Sequence, residues 1–331
     1  MSPVSAVPPR PPNRGRGAGF TLLELLVAAV ITLLLSGLVL AVTANVLDLW
    51  RRTQGGLTAT AEAKLALDLI ERDLQAALFR SDGGTWLAVD LFDDLAQLGA
   101  RGWFTTATRL KPGGGVSLRV WPQARADGVR HLADARFGLS GAGLRLIAST
   151  AESTGNESLS LPRVIAYQIA RRPVTGALSA SNPAPVRYTL FRSTAGSQAT
   201  FTSGHDLGIL SAAPGASAAL ASNVVDFGLW LYVREADGRL RCVYPEAGNS
   251  SDLTHRASGL PGADGARMPA VADVMIRVLT EEGAAQLAAL EAGRTSRPAG
   301  YATDGEWWWG VVEAQSRVFI RRVEIKAEDP R

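Results

Sequence analysis

A lone carboxylate inside an apolar run near the start of the chain is the strongest chemical signal in the sequence. Phe20–Val42 is an apolar run of 23 residues whose only charge is Glu24. A carboxylate costs on the order of 2.5–3.5 kcal/mol at mid-membrane and less near the interface, so one retained there is a functional candidate. Cleavage after Gly19 would make Phe20 the first residue and Glu24 the fifth. It would also create an α-amino group close to the membrane surface. The carboxylate of one subunit can pair with the ammonium of a neighbour, and low dielectric strengthens the pair. Glu24 then sets register during assembly rather than catalysing a reaction.

Other chemistry is sparse. His131, His205, His255 and the single Cys242 show no zinc-like spacing, so no metal or cofactor is expected. "GRGAGF" lacks the preceding strand and the final glycine of a nucleotide loop, and no G-x-S-x-G, H-E-x-x-H or P-loop occurs. Asp93-Asp94 reads as a solvated turn. No catalytic constellation assembles, and the chain is expected not to be an enzyme. "EWWWG" (306–310) is the oddest local feature. Three consecutive Trp residues cannot share one face of a strand, so at least one should be exposed or cover a loop. The run either packs into the core with a loop lid, or offers Trp307, Trp308 and Trp309 as a partner contact, a residue type enriched in interface hot spots.

These residues need elements to position them. Residues 1–19 hold Arg10, Arg14 and Arg16 and no acid. Of 34 basic residues that leaves 31, against 31 acidic, so the remainder is formally neutral. Neutrality argues against a nucleic-acid-binding surface. The apolar run makes about 34 Å of helix, enough to cross the hydrocarbon core. The arginines before it predict a cytoplasmic N-terminus and an exported bulk. A secretory signal peptide, with an exit at "AVTAN", and a plain single-span anchor are competing readings. The apolar core is longer than the first requires, and neither explains Glu24.

A basic leader ending in Gly, then Phe, then an apolar stretch with Glu at the fifth mature position resembles the type IV prepilins and the related type II secretion pseudopilins. This chain reads "G-FTLLELLVAAVITLLL". The resemblance implies cleavage after Gly19 and N-methylation of Phe20 by a membrane prepilin peptidase. Ala28, Thr32 and Ser36 follow Glu24 at four-residue steps, a small-residue strip that would let helices approach closely.

Helical periodicity continues beyond the membrane. Residues 55–81 place Leu57, Ala61, Leu65, Leu69 and the Leu74/Leu78 pair on one expected apolar face. Gly55-Gly56 is expected to kink or interrupt this helix, and Asp82-Gly83-Gly84 to stop it. Strands are expected at 103–109, 116–121, 143–148, 163–171, 186–192, 224–234, 239–244, 271–279 and 317–326, with a hairpin at Asp237-Gly238. Loops are expected at 149–160, 174–185 and 194–220, and a short helix at 281–292. The division is a leader (1–19), a transmembrane assembly helix (20–45), its amphipathic continuation (46–82) and a globular domain (83–331). The fold class is α+β and pilin-like, with one long N-terminal helix on a mainly antiparallel sheet. Without a second cysteine no intramolecular disulfide can form, unlike in pilins that close a C-terminal loop that way.

"RVIAYQIARR", "VRYTLFRS", "LASNVVDFGLWLYV" and "RVFIRRVEI" are similar to phrases of the J-type pseudopilin and W-type minor pilin groups. The resemblance implies a minor subunit near the tip of a type II secretion pseudopilus. The alternative is a W-type minor pilin with an adhesion or DNA-uptake role. Expected partners are the prepilin peptidase, other major and minor pilins or pseudopilins, and an inner-membrane assembly platform, with no nucleic acid. The expected location is the inner membrane, single-pass, with the domain in the periplasm before incorporation into a filament.

Overall fold

The computed structural model describes residues 21–80, 82–91, 120–137, 141–154, 157–173, 186–202, 216–245, 254–258, 267–291 and 294–326. The chain divides into two compact units, Met1–Arg51 and Arg52–Arg331. Helix α1 (Leu22–Gln75) contributes to both. In the first unit Leu22–Leu47 is long and apolar enough to cross a membrane, with mean hydropathy 2.9 and no part of its most apolar window buried.

The second unit is built on two antiparallel sheets. A six-stranded sheet has the order β5-β4-β3-β2-β1-β8 and a four-stranded sheet the order β10-β9-β6-β7. The first comprises β1 (Leu87–Leu91), β2 (Ala142–Thr154), β3 (Glu157–Pro173), β4 (Val186–Thr194), β5 (Ala219–Ser222) and β8 (Thr254–Ala257). The second comprises β6 (Val224–Arg234), β7 (Leu240–Tyr244), β9 (Val271–Leu279) and β10 (Ser316–Glu324). Asn223, at φ 58°, turns the chain from β5 into β6 and so from one sheet into the other. Asparagine is among the few non-glycine residues that adopt this conformation readily. The α+β class with an apolar N-terminal helix and a mainly antiparallel sheet domain is as expected.

Alternation explains the core. On β6, Phe227, Leu229 and Leu231 are fully buried, as are Val274 and Ile276 opposite them on β9. Leu144, Leu146, Ile165 and Tyr167 line the six-stranded sheet on the same core. Into it α1 sends Ala59, Ala63, Ala66, Leu67, Ile70 and Leu74. This stripe is rotated from the expected face: Ala61 is exposed and Leu65 is 60% exposed. Alanine and leucine alternate too freely here for hydropathy to choose between faces. The small side chains of Ala59, Ala63 and Ala66 lie on the buried side, where tight packing rewards them.

Several local expectations are corrected. The helix is unbroken through Gly55-Gly56 and ends at Gln75, short of Asp82. Its exit is decided by a sheet: Leu78 N–H donates to Ile147 O at 2.8 Å, and Ser149 N–H to Ala76 O at 3.0 Å. The expected loop at 149–160 is mostly strand, with β2–β3 pairing running out to Thr154–Glu157. The loop expected at 194–220 contains a short helix, α2 (Ser197–Thr202), and the start of β5. The Trp run is helical, inside α4 (Asp304–Gln315). Helix α3 (Glu281–Glu291), β6 and β9 fall where expected. The 235–239 turn has Gly238 at φ 83° and Asp237 Oδ1 accepting from Arg239 N–H at 2.9 Å. The strand expected at 103–109, the loop at 174–185 and Asp93-Asp94 lie outside the described residues.

Segment 120–137 is tied to the outer face of the four-stranded sheet. Phe137 packs where Gly228 has no side chain, and a Cβ there would lie 1.8 Å from its ring. Arg277 donates to Ala133 O and Ala135 O at 3.1 and 3.2 Å.

Candidate processing and assembly site

Gly19 and Phe20 lie outside the described residues, and the site begins at Thr21. Thr21 is the N-cap of α1 and Glu24 the third residue of its first turn. Glu24 N–H donates to Thr21 Oγ1 at 3.2 Å, while Glu24 Oε2 accepts from Thr21 N–H at 2.9 Å and from Thr21 Oγ1–H at 3.1 Å. This is a reciprocal capping box, which satisfies backbone donors that a helix start would leave open. The T-x-x-E spacing that signals such a box stands in "TLLE", and it gives Thr21 a role beside Glu24 that the spacing of Glu24 from Phe20 does not show. Capping and a contact between subunits are compatible. An ionised carboxylate offers about four acceptor positions, so Glu24 can close the cap and still receive an ammonium.

Above Glu24, Ala28, Thr32 and Ser36 are exposed along α1. Thr32 Oγ1 donates to Ala28 O at 2.7 Å, which satisfies its hydroxyl within the helix. Thr32 therefore presents a small surface at little polar cost in an apolar medium.

The Trp run belongs elsewhere. Thr303 caps α4, its Oγ1 accepting from Glu306 N–H at 3.1 Å. Helical spacing then sends Trp308 and Trp309 inward, where they are 0% and 1% exposed. Trp308 Nε1 donates to Glu291 at 3.0 Å, and Tyr188 OH donates to the same carboxylate oxygen. Arg136 stacks over Trp309 at 5.0 Å. Trp308 and Trp309 are core residues, so any contact made by the run falls to half-buried Trp307.

The titratable groups elsewhere form structural pairs. Asp73, 2% exposed, receives Arg192 at 2.7 and 3.0 Å and the hydroxyl of Tyr167. Burial and the Asp73 carboxylate push the Tyr167 phenol well above its ordinary range. Asp90 is fully buried between Arg145 at 3.1 Å and Arg256 at 2.6 Å. Cys242 is half-buried, and desolvation pushes its thiol up to about 11, which leaves it unreactive. His131 lies 3.2 Å from Asp127, His255 is buried, and His205 is outside the described residues. Among the described residues no three His, Cys, Asp or Glu side chains gather as a metal site.

Residues 14–40 match the family model of the prokaryotic N-terminal methylation motif. No curated protein and no solved structure matches the chain. The motif spans the last arginines of the leader, Gly19, Phe20, Glu24 and the small-residue strip, and the helix it enters is capped by Thr21 and Glu24 and is apolar enough to cross a membrane. The chain is thereby marked as a type IV prepilin-like protein, one whose motif implies processing by a prepilin peptidase and assembly with other pilins.

Proposed function

We propose that the protein is a minor pseudopilin of the J-type, assembled near the tip of a type II secretion pseudopilus, with a structural rather than a catalytic role. The observation that carries this reading is Glu24 five residues into the mature chain, at the start of an apolar helix that leads to a domain of two sheets. A unit of 280 residues, Arg52–Arg331, would be hard to repeat along a thin filament, which favours few copies at one end. The domain would stand in the periplasm, reached by a single pass through the inner membrane. An assembly platform would meet the helix there, and neighbouring pseudopilins would meet Glu24 and the strip above it.

The test is the mature N-terminus, read by intact-mass and peptide mass spectrometry after co-expression with the matching prepilin peptidase. The expected chain begins at N-methylated Phe20. An uncut chain, or one beginning at Asn45, overturns the reading. Cross-linking from the assembled filament then separates the J-type role from that of a pilus tip subunit by the neighbours recovered.

A further inference from the structure

We infer that Trp50 anchors α1 in the headgroup layer of the bilayer and so sets the depth at which Glu24 is presented. The inference rests on the membrane and assembly reading of the N-terminal helix and adds to it a lipid contact and a positioning role.

The apolar stretch Leu22–Leu47 has 26 residues, about 39 Å of helix, against a hydrocarbon core of about 30 Å. That leaves about 9 Å of slack. Hydropathy alone would let the helix slide by more than one turn, or tilt. Something amphipathic has to choose the depth. Trp50 follows the stretch by three residues, is 63% exposed and lies on the same continuous helix. Tryptophan favours the membrane–water interface because its ring is largely apolar and its indole N–H needs a polar partner. The sequence continues Arg51-Arg52, charges that suit lipid phosphates and disfavour deeper entry. From Glu24 to Trp50 is 26 positions, about 39 Å along the axis, close to the roughly 40–45 Å that separates the two headgroup layers' outer limits. With Trp50 held in the outer layer, Glu24 lies in the opposite one. There its charge is little penalised, and a neighbour's amine can reach it. A slide of one turn outward would carry Glu24 into hydrocarbon, where the charge is costly.

The test uses the processed full-length chain in nanodiscs of phosphatidylglycerol and phosphatidylcholine carrying bromine either near the headgroup or near the bilayer midplane. The emission of the wild-type chain minus that of Trp50→Phe isolates Trp50 among eight tryptophans. The expected result is loss of this component with shallow bromine and its retention with deep bromine. In a Cys242→Ser background, a fluorophore on Leu26→Cys reports the depth of the Glu24 turn. Trp50→Ala should shift that label by about one turn, ~5 Å, and Trp50→Tyr should restore it. Quenching of Trp50 by deep bromine, or by neither, overturns the anchor, as does a Leu26 label that ignores Trp50→Ala. A fluorophore on Leu34→Cys separates the two failures. If deep bromine quenches it, the helix is in the bilayer and only the anchor falls; if neither bromine does, the membrane reading falls with it.

Discussion

Glu24 has a local task in the structure, and the proposed function adds an intermolecular one on the same side chain. Locally it closes the capping box with Thr21, an arrangement worth about 1 kcal/mol to the helix start. In the proposed contact between subunits only its charge would matter, because an ammonium is recognised by a carboxylate far more strongly than by an amide. Glu24→Gln separates the two, since glutamine also serves at the third position of a capping box. We expect Glu24→Gln to keep α1 helical by circular dichroism and to be cleaved normally, yet to be lost from filaments in pull-down of assembled subunits. Full incorporation of Glu24→Gln would assign the residue to capping alone.

At the level of elements, the second half of α1 is tied to the sheets by polar contacts as well as by its buried apolar stripe. Glu62 Oε2 accepts from Ser222 N–H on β5 at 2.7 Å. Asp68 and Glu71 both receive Arg321 of β10, and Asp73 receives Arg192 of β4 and Tyr167 of β3. The helix thus grips both sheets within four turns. The exposed pairs contribute little each, whereas the buried one is sensitive to deletion of either partner. Removing Asp73 would strand a guanidinium that is only 21% exposed at its side chain. Asp73→Ala is expected to cost about 3 kcal/mol, read as a lower urea midpoint of the full chain in detergent with unchanged processing of the leader. The double variant Asp73→Ala/Arg192→Met should recover much of the loss.

For the whole molecule, the interior shared by the two sheets makes stability depend on pH through His255. It is 3% exposed and packs near Tyr244, with ring centroids 6.3 Å apart. Burial pushes its imidazole down to about 4 from 6.5, so the folded chain keeps it neutral. Between those values the unfolded chain binds a proton that the folded chain refuses. Stability is therefore complete above about pH 6.5 and falls as pH drops towards 4, by on the order of 3 kcal/mol across the window. Asp127 and Asp134 are exposed and Glu235 is half-buried, and all three are held low by their partners, respectively Val129 N–H, Arg125 and Arg241. Their contributions disappear only at more acid pH. Thermal unfolding between pH 7 and 4 should show the decline, and His255→Leu should flatten it. An equal slope in the variant would place the titration elsewhere.

Features that a short contiguous segment can carry are readable from residue order alone. Glu24 and the apolar run are contiguous, so the methylation motif and a helix able to cross a membrane can be read without a fold. The T-x-x-E cap was equally legible. Strands β6 and β9 were clear because nearly every residue is buried in a β-branched or aromatic-rich run, and the turn at Asp237-Gly238 because glycine supplies the positive φ. Which side of α1 faces inward depends on long-range packing, because its alanines and leucines occur on several faces and the choice is made by how closely the sheets approach. The same packing decides the pairing of Asp73 with Tyr167 and Arg192, from elements 94 and 119 residues away in sequence. The Trp run turned on the same distinction. Three adjacent tryptophans favour no period of their own, and a helix formed there because Thr303 caps it and the core has room for Trp308 and Trp309.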